Sequence, residues 1–177
     1  MPSDVIPRDC SDAPGVSSRV GKGTRAVLVS ELYPPDVGGT PALFQNIYGR
    51  LAGIPVTVLT DDRHQTVASG AAEPGSIVRV AMSTPDWGLT DRRSLVRYAR
   101  VARAMRRLSG RDPVLFHCAR VLPEGFSAWL ATRLSASSYV CWTHGEELHY
   151  VQSSRQLRGM ARLVHSAAAL VVANSGN

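Results

Sequence analysis

The sequence predicts an α/β fold, namely a Rossmann-like and mainly parallel sheet of about six strands with helices on both faces. Three observations lead to this prediction. Short apolar runs alternate with longer segments of helical periodicity, as in chains built from strand–helix–strand units. Most of these runs are apolar throughout, which is typical of parallel strands covered on both faces. The chain has 177 residues, of which 44% are hydrophobic, enough for the core of one such domain.

Each candidate strand is short, rich in β-branched or aromatic residues, and bounded by turn residues. The six candidates are residues 26–29, 55–60, 77–81, 113–118, 139–143 and 169–173. Four segments between them have apolar side chains at helical spacing, namely residues 40–51, 94–108, 124–134 and 153–168. The first helix has Thr40 as its N-cap, Pro41 in its first turn and Gly53 after its end. Residues 61–76 are predicted to form a loop.

The segment before the first strand, residues 1–24, is polar and rich in Pro, Gly and Ser, and we predict that it is a disordered lead-in. It lacks the apolar stretch of a secretory signal, and no run approaches the roughly 18 apolar residues of a membrane span. Residues 25–177 are predicted to form a single domain. Cys118 and Cys141 lie in apolar runs and no CxxC spacing occurs, which indicates buried free thiols and a cytoplasmic protein.

The net charge of +6 is concentrated in one segment. Residues 91–112 contain eight arginines and two aspartates, and the rest of the chain is balanced, with twelve basic and twelve acidic residues. The basic character of the chain therefore belongs to the second predicted helix.

The loop that follows the first strand, SELYPPDVGGTP at residues 30–41, combines two prolines with two glycines. In open parallel sheets, ligands bind beyond the carboxyl ends of the strands, and a helix start there offers unpaired N–H groups. Gly38, Gly39 and Thr40 are therefore candidate contacts for a phosphate or a sugar. The alternative interpretation is a turn that needs positive φ. The loop is not GxGxxG, which disfavours a dinucleotide-dependent oxidoreductase.

The stretch THGEEL at residues 143–148 follows the fifth strand and belongs at the same sheet edge. His144 is a candidate donor to a sugar hydroxyl or a phosphate oxygen. Glu147 is a candidate acceptor from hydroxyls, or a group that orients His144. The alternative is a capping histidine with glutamates that complement the helix dipole. We treat His144 and Glu147 as candidate catalytic residues.

Two further stretches end at the same edge. HCARVLPEG at residues 117–125 follows the fourth strand, and His117, Arg120 and Glu124 are candidate ligand contacts there. VANS closes the sixth strand, and Ser175 is a candidate ligand contact or only a helix cap. The remaining histidines have no arrangement that suggests metal ligation, so no metal site is predicted.

Taken together, these loops resemble the N-terminal, acceptor-side domain of family 4 (group 1) glycosyltransferases, which have the GT-B fold. The resemblance rests on the order and placement of a PPxxGG loop, an HGxE stretch and a strand ending in ANS. It covers about residues 25–177. The residues that carry it are Pro34, Pro35, Gly38, Gly39, His144, Gly145, Glu147, Asn174 and Ser175.

The resemblance implies a retaining transferase that uses a nucleotide-sugar donor, needs no metal or other cofactor, and transfers to a glycan, a lipid-linked acceptor or a small molecule. It implies that Gly38 and Gly39 contact the donor diphosphate and that His144 lies near the transferred sugar. It also implies a C-terminal donor-binding domain that this chain lacks. We therefore expect the chain alone to be inactive.

The second predicted helix places its apolar side chains on one side of a helical wheel and most of its arginines on the other, although Arg106 intrudes on the apolar side. One interpretation is a solvated basic face. Another is that Arg97, Arg100 and Arg103 meet an anionic membrane, at its inner face, or an anionic acceptor. Few aromatic residues interleave with the arginines, which disfavours nucleic acid. The alternative function is thus a non-catalytic module that binds anionic membrane through this helix.

Overall fold

The structure is a computed structural model that describes residues 25–51, 56–63, 75–83 and 86–174. Within them, six parallel strands form one sheet in the order β3-β2-β1-β4-β5-β6. The strands are β1 (Arg25–Ser30), β2 (Val56–Thr60), β3 (Ile77–Arg79), β4 (Val114–Cys118), β5 (Ser138–His144) and β6 (Leu170–Asn174). The predicted α/β class is confirmed, and every described strand pair is parallel.

Five α-helices connect the strands of the described chain. They are α1 (Gly39–Gly49), α2 (Arg92–Ser109), α3 (Phe126–Thr132), α4 (Gly145–Gln152) and α5 (Arg155–Ala167). One π-helical turn, Val121–Gly125, lies between β4 and α3. A helix is present in each of the four predicted segments. The helix predicted over residues 124–134 is shorter in the structure, where α3 spans Phe126–Thr132. Helix α4 is not one of the four predicted helices.

The helices divide unequally between the two faces of the sheet. The larger core joins α2, α3, α5 and the end of α4 to one face, where Phe116, Tyr139 and Cys141 are buried. The smaller core lies under α1 on the opposite face, where Phe44 and Leu28 are fully buried. The chain adds β2 and β3 on one side of β1, and it adds β4, β5 and β6 on the other side. Since crossovers between parallel strands are right-handed, the helices of these two groups lie on opposite faces of the sheet.

The basic helix α2 is held by a stripe of buried side chains and has a clear start. Asp91 is its N-cap and accepts a hydrogen bond from the Arg93 N–H at 2.9 Å. The buried residues of α2 are Ser94, Tyr98, Val101, Ala102, Met105 and Ser109. Three details of the predicted wheel are wrong, because Arg106 is exposed, and Leu95 and Ala99, which were placed on the apolar side, are also exposed.

Strand β6 ends the described sheet and is poorly covered. Leu170 and Val171 remain 57% and 40% exposed, although parallel strands are ordinarily buried on both faces. Its register with β5 places Leu170 beside Val140 and Asn174 beside His144.

Several expectations fall partly or wholly outside the described residues. These are the lead-in at residues 1–24, most of the loop at residues 61–76, and Ser175. In the described ranges, no helix has the length and apolar character needed to cross a bilayer. Cys118 and Cys141 are buried and free, as predicted.

The topology creates a switch point between β1 and β4. From β1 the chain proceeds to β2 and β3 on one side, and from β4 it proceeds to β5 and β6 on the other. The loops that leave these two neighbouring strands diverge, which opens a crevice at their carboxyl ends.

Candidate functional site

A crevice of about 500 Å³ lies at this edge of the sheet. Its lining residues are Leu32, Thr40, Trp87, Arg120, His144, Glu146, Glu147 and Tyr150. The structure therefore brings together Thr40, Arg120, His144 and Glu147, four of the side chains that the sequence singled out from three separate loops.

The loop before α1 is closed by a local turn and leaves the helix start free. The Tyr33 N–H donates to the Asp36 carboxylate at 3.3 Å, and the Asp36 N–H donates to the Tyr33 carbonyl at 3.1 Å. No side chain caps α1 at Gly38. No atom lies within 4 Å of the position that a Cβ on Gly39 would take, so open space adjoins the first N–H groups of the helix. These N–H groups can bind an anion by donating hydrogen bonds to it.

His144 is the last residue of β5, and both of its ring nitrogens are engaged within the protein. Nε2 lies 3.0 Å from the Ala119 carbonyl oxygen, and Nδ1 lies 3.2 Å from the Asn174 side-chain nitrogen. A carbonyl oxygen only accepts, so Nε2 donates and Nδ1 accepts from the amide. This arrangement corresponds to the Nε2–H tautomer of the ring. It also joins the THGEE and VAN stretches, which are 30 residues apart.

Glu147 lies in the first turn of α4 and is almost fully buried in the crevice wall. Its Oε2 accepts from the Val121 N–H at 3.3 Å, and its Oε1 has no hydrogen-bond partner among the described residues. Burial raises the pKa of Glu147 to about 8, and repulsion from Glu124 acts in the same direction against the weaker effect of Arg120. The raised pKa therefore favours the protonated form of the Glu147 carboxyl group near neutral pH.

Arg120 lies at the centre of a group of three carboxyl groups. Its guanidinium nitrogens are 3.3 Å from Glu31, 3.6 Å from Glu124 and 3.9 Å from Glu147. Burial alone would lower the pKa of Arg120, but the carboxyl groups of Glu124, Glu31 and Glu147 raise it. Glu31 is also paired with Arg63 at 2.8 Å. This network fixes the loop after β1 to the loop after β4.

Glu124 lies beneath the crevice rather than on its surface. It is 0% exposed, and its Oε1 accepts from the Glu31 N–H at 2.8 Å. Burial raises the pKa of Glu124. The carboxyl group therefore supports the loop after β1 from below.

An aromatic wall closes one side of the crevice. The rings of Trp87 and Tyr150 meet edge to face at 5.0 Å, and the Arg120 guanidinium lies 5.9 Å from the Trp87 ring centre. The Tyr98 hydroxyl of α2 donates to the Trp87 carbonyl at 2.6 Å, which ties this wall to α2. A flat aromatic surface beside carboxyl and guanidinium groups suits a ligand that has both apolar C–H faces and hydroxyls.

Four of the sequence candidates, His117 and three arginines of α2, lie outside the crevice. His117 lies within β4 on the face covered by α1, where its Nδ1 is 2.5 Å from the Tyr48 hydroxyl oxygen. Burial lowers the pKa of His117, and its environment is that of a core histidine. Arg97, Arg100 and Arg103 lie on α2, outside the residues that line the crevice.

Sequence reasoning missed five residues of the site, namely Glu31, Leu32, Trp87, Glu146 and Tyr150. Glu31 has a local signal, since it directly follows β1 at the carboxyl edge. Glu146 lies within a quoted stretch. Trp87 and Tyr150 carry no signal in the sequence, because only the fold brings the loop before α2 next to α4.

Among the described residues, no group of His, Cys, Asp and Glu has an arrangement that could hold a metal ion. No protein-family model matches the chain, and no curated protein does either.

Proposed function

We propose that the chain is the acceptor-side domain of a retaining glycosyltransferase that uses a nucleotide-sugar donor. One observation carries the proposal: the uncapped start of α1, the His144–Asn174 pair and the buried carboxyl of Glu147 meet in one crevice at the switch point. The resemblance of the loops to family 4 glycosyltransferases supports the same assignment.

The proposed donor contacts are the backbone N–H groups at Gly39 and Thr40, next to Gly38. An anionic diphosphate there would meet the positive end of the α1 dipole, with no Cβ on Gly39 to hold it away. In the transfer, the bond from the anomeric carbon to the diphosphate oxygen breaks, a bond from that carbon to the acceptor hydroxyl oxygen forms, and the hydroxyl proton leaves with the nucleoside diphosphate. The helix start would stabilise the charge that develops on the departing diphosphate.

The proposed acceptor contacts are the aromatic wall and the polar groups that face it. Trp87 and Tyr150 offer apolar surface to a sugar ring, while Glu146 and Arg120 offer hydrogen-bond partners for hydroxyls. Glu147 would act as a hydrogen-bond donor when its carboxyl group is protonated, the form that its raised pKa favours. The two hydrogen bonds of His144 hold its ring in one orientation beside these groups.

The test is titration of the isotope-labelled chain with UDP, GDP and ADP, monitored by amide chemical shifts. We expect shifts at Gly38, Gly39 and Thr40, and none at Gly110, which follows the far end of α2. Inorganic phosphate serves as the comparison ligand, since a diphosphate should bind more tightly. Saturating amounts of all three nucleotides that leave residues 38–40 unshifted would refute the proposal.

Two matched variants sharpen the test. Gly39→Glu places a carboxylate at the proposed diphosphate position, and Gly49→Glu places the same charge at the other end of α1. Neither glycine has an atom within 4 Å of the new Cβ, so both variants should fold. We expect the Gly39 variant alone to lose nucleotide binding. Equal binding by both variants would exclude the start of α1 as the donor site.

A further inference from the structure

Three of the four described helices that pack on the larger-core face, α2, α3 and α5, form one layer, and α4 beside them carries Glu146 and Glu147. Neither α2, α3 nor α5 includes an Asp or a Glu. Eleven arginines belong to this layer: Arg92, Arg93, Arg97, Arg100, Arg103, Arg106 and Arg107 of α2, Arg133 directly after α3, and Arg155, Arg158 and Arg162 of α5. The sequence locates the positive charge on α2 alone, whereas the folded chain places the arginines of α5 on the same face as those of α2.

These arginines have no acidic partners within the described chain. Its ion pairs form around Arg63 and Arg120 only. All eleven are exposed except Arg97, which is half-buried. Arg133 lies 5.3 Å from the centre of the Trp129 ring, a cation–π contact that leaves its charge uncompensated.

Aliphatic side chains are exposed among the arginines. Leu134 is 76% exposed and Val96 is 55% exposed. Leu134 borders a groove of about 660 Å³ between α2 and α3, which Arg103, Arg106 and Arg107 also line. Val96 lies in a shallower groove among arginines of the first turns of α2. The surface thus combines positive charge with apolar groups that face solvent.

We propose that this helix layer is a docking surface for an anionic lipid bilayer. Guanidinium groups would pair with the lipid phosphates, and the exposed aliphatic groups would enter the headgroup region. The aliphatic groups favour a bilayer over nucleic acid, which would need aromatic side chains free to stack on bases. Trp129, the aromatic residue that contacts Arg133, is half-buried and already covered by that guanidinium group.

Docking through this layer would also position the crevice. Helices in a parallel α/β sheet run opposite to the strands, so α2 begins at the edge where the crevice opens. The first turns of α2 contact the crevice wall directly, since Ser94 donates to the Asp86 carbonyl at 2.9 Å and Tyr98 donates to Trp87. A docked molecule would therefore hold the mouth of the crevice beside the lipid headgroups.

The test is flotation of the full chain with vesicles of phosphatidylcholine, alone or mixed with phosphatidylglycerol. We expect binding to the anionic vesicles only, and we expect added salt to weaken it. The variant R100E/R103Q should bind roughly a hundredfold less tightly, from about a fivefold contribution of each charge near an anionic bilayer. The variant Q45E/R50E changes the net charge equally on α1 and at its C-cap, across the sheet, and should bind like the parent.

Circular dichroism and thermal unfolding would first show that both variants are folded. Equal binding to neutral and anionic vesicles would overturn the proposal, as would equal losses in the two variants. Binding to duplex DNA or RNA without vesicle binding would overturn it in favour of a nucleic-acid surface. The test uses no sugar nucleotide, so its failure leaves the proposed transferase role untouched, and the reverse also holds.

Discussion

Arginine occupies two contrasting environments in this molecule. Arg120 is largely buried in the crevice among the carboxyl groups of Glu31, Glu124 and Glu147. Arg100 and its neighbours on α2 are exposed and have no ion pair within the described chain. The enclosed arginine holds loops in place, whereas the exposed arginines remain available to a partner.

The energetic consequences should differ as much as the geometry does. Removing one member of a buried ionic group leaves the others uncompensated in a poorly solvated place, which costs about 3–5 kcal/mol. Exposed charges are solvated by water with or without a partner, and their removal usually changes stability by less than about 0.5 kcal/mol. The comparison can therefore be tested by variants of each class.

The largest effect is expected from Arg120→Met. It would leave the carboxyl groups of Glu31 and Glu124 without their shared cation, and we expect the free energy of unfolding to fall by about 3–5 kcal/mol. Urea denaturation at neutral pH measures this change. Arg100→Met is the matched control and should stay within about 0.5 kcal/mol of the parent. Similar losses in the two variants would show that the enclosed network has no special role.

A second effect should depend on pH and concerns Glu147. Its pKa is about 8 in the folded chain and about 4.5 when unfolded, so the unfolded state loses the proton first as pH rises. The folded state is therefore destabilised progressively between about pH 4.5 and 8, by a few kcal/mol, since each unit of pKa is about 1.4 kcal/mol. Glu147→Gln has no proton to lose and should be more stable than the parent at pH 8.

The control for this effect is Glu146→Gln, which makes the same chemical change at the exposed neighbouring position. Chemical denaturation at a series of pH values compares the three proteins. Glu147→Gln should flatten the decline in stability above about pH 4.5, while Glu146→Gln should follow the parent. A parallel decline in all three proteins would show that Glu147 ionises normally.

The smallest effect is expected on the exposed side of the comparison. Arg100→Glu relieves repulsion among neighbouring arginines on α2, so we expect a gain in stability of a few tenths of a kcal/mol at low salt. The gain should vanish near 1 M salt, where the Debye length is about 3 Å. Thermal unfolding at two salt concentrations measures it. A loss of stability would indicate that Arg100 has an attractive partner.

The sequence was sufficient to predict the sheet, because its strands are signalled by local composition. The predicted segments 139–143 and 169–173, for example, agree with β5 and β6 to within one residue at both ends. Less regular segments were harder. Helix α4 is short and begins with Gly145, and Ser153 and Ser154 after it resemble a helix start, so the sequence predicts one helix where the structure has two.

The site was only partly predictable, for a physical reason. Thr40, His144 and Glu147 follow strands, so the parallel topology is enough to bring their loops to one edge. The contact of Trp87 with Tyr150 depends on how the loop before α2 packs on α4, which no local pattern encodes. His117 illustrates the converse, since its position near a strand end suggested the crevice while strand alternation turned it beneath α1.

The open side of β6 has a consequence for the purified protein. Its outer N–H and C=O groups have no neighbouring strand within the described sheet, and the sequence LVVAN contains no charged residue or proline to discourage pairing. Such an edge is a template for a strand of another molecule. Intermolecular β-pairing at β6 is therefore the aggregation route that concentrated samples are expected to follow, and a lysine placed there would block it.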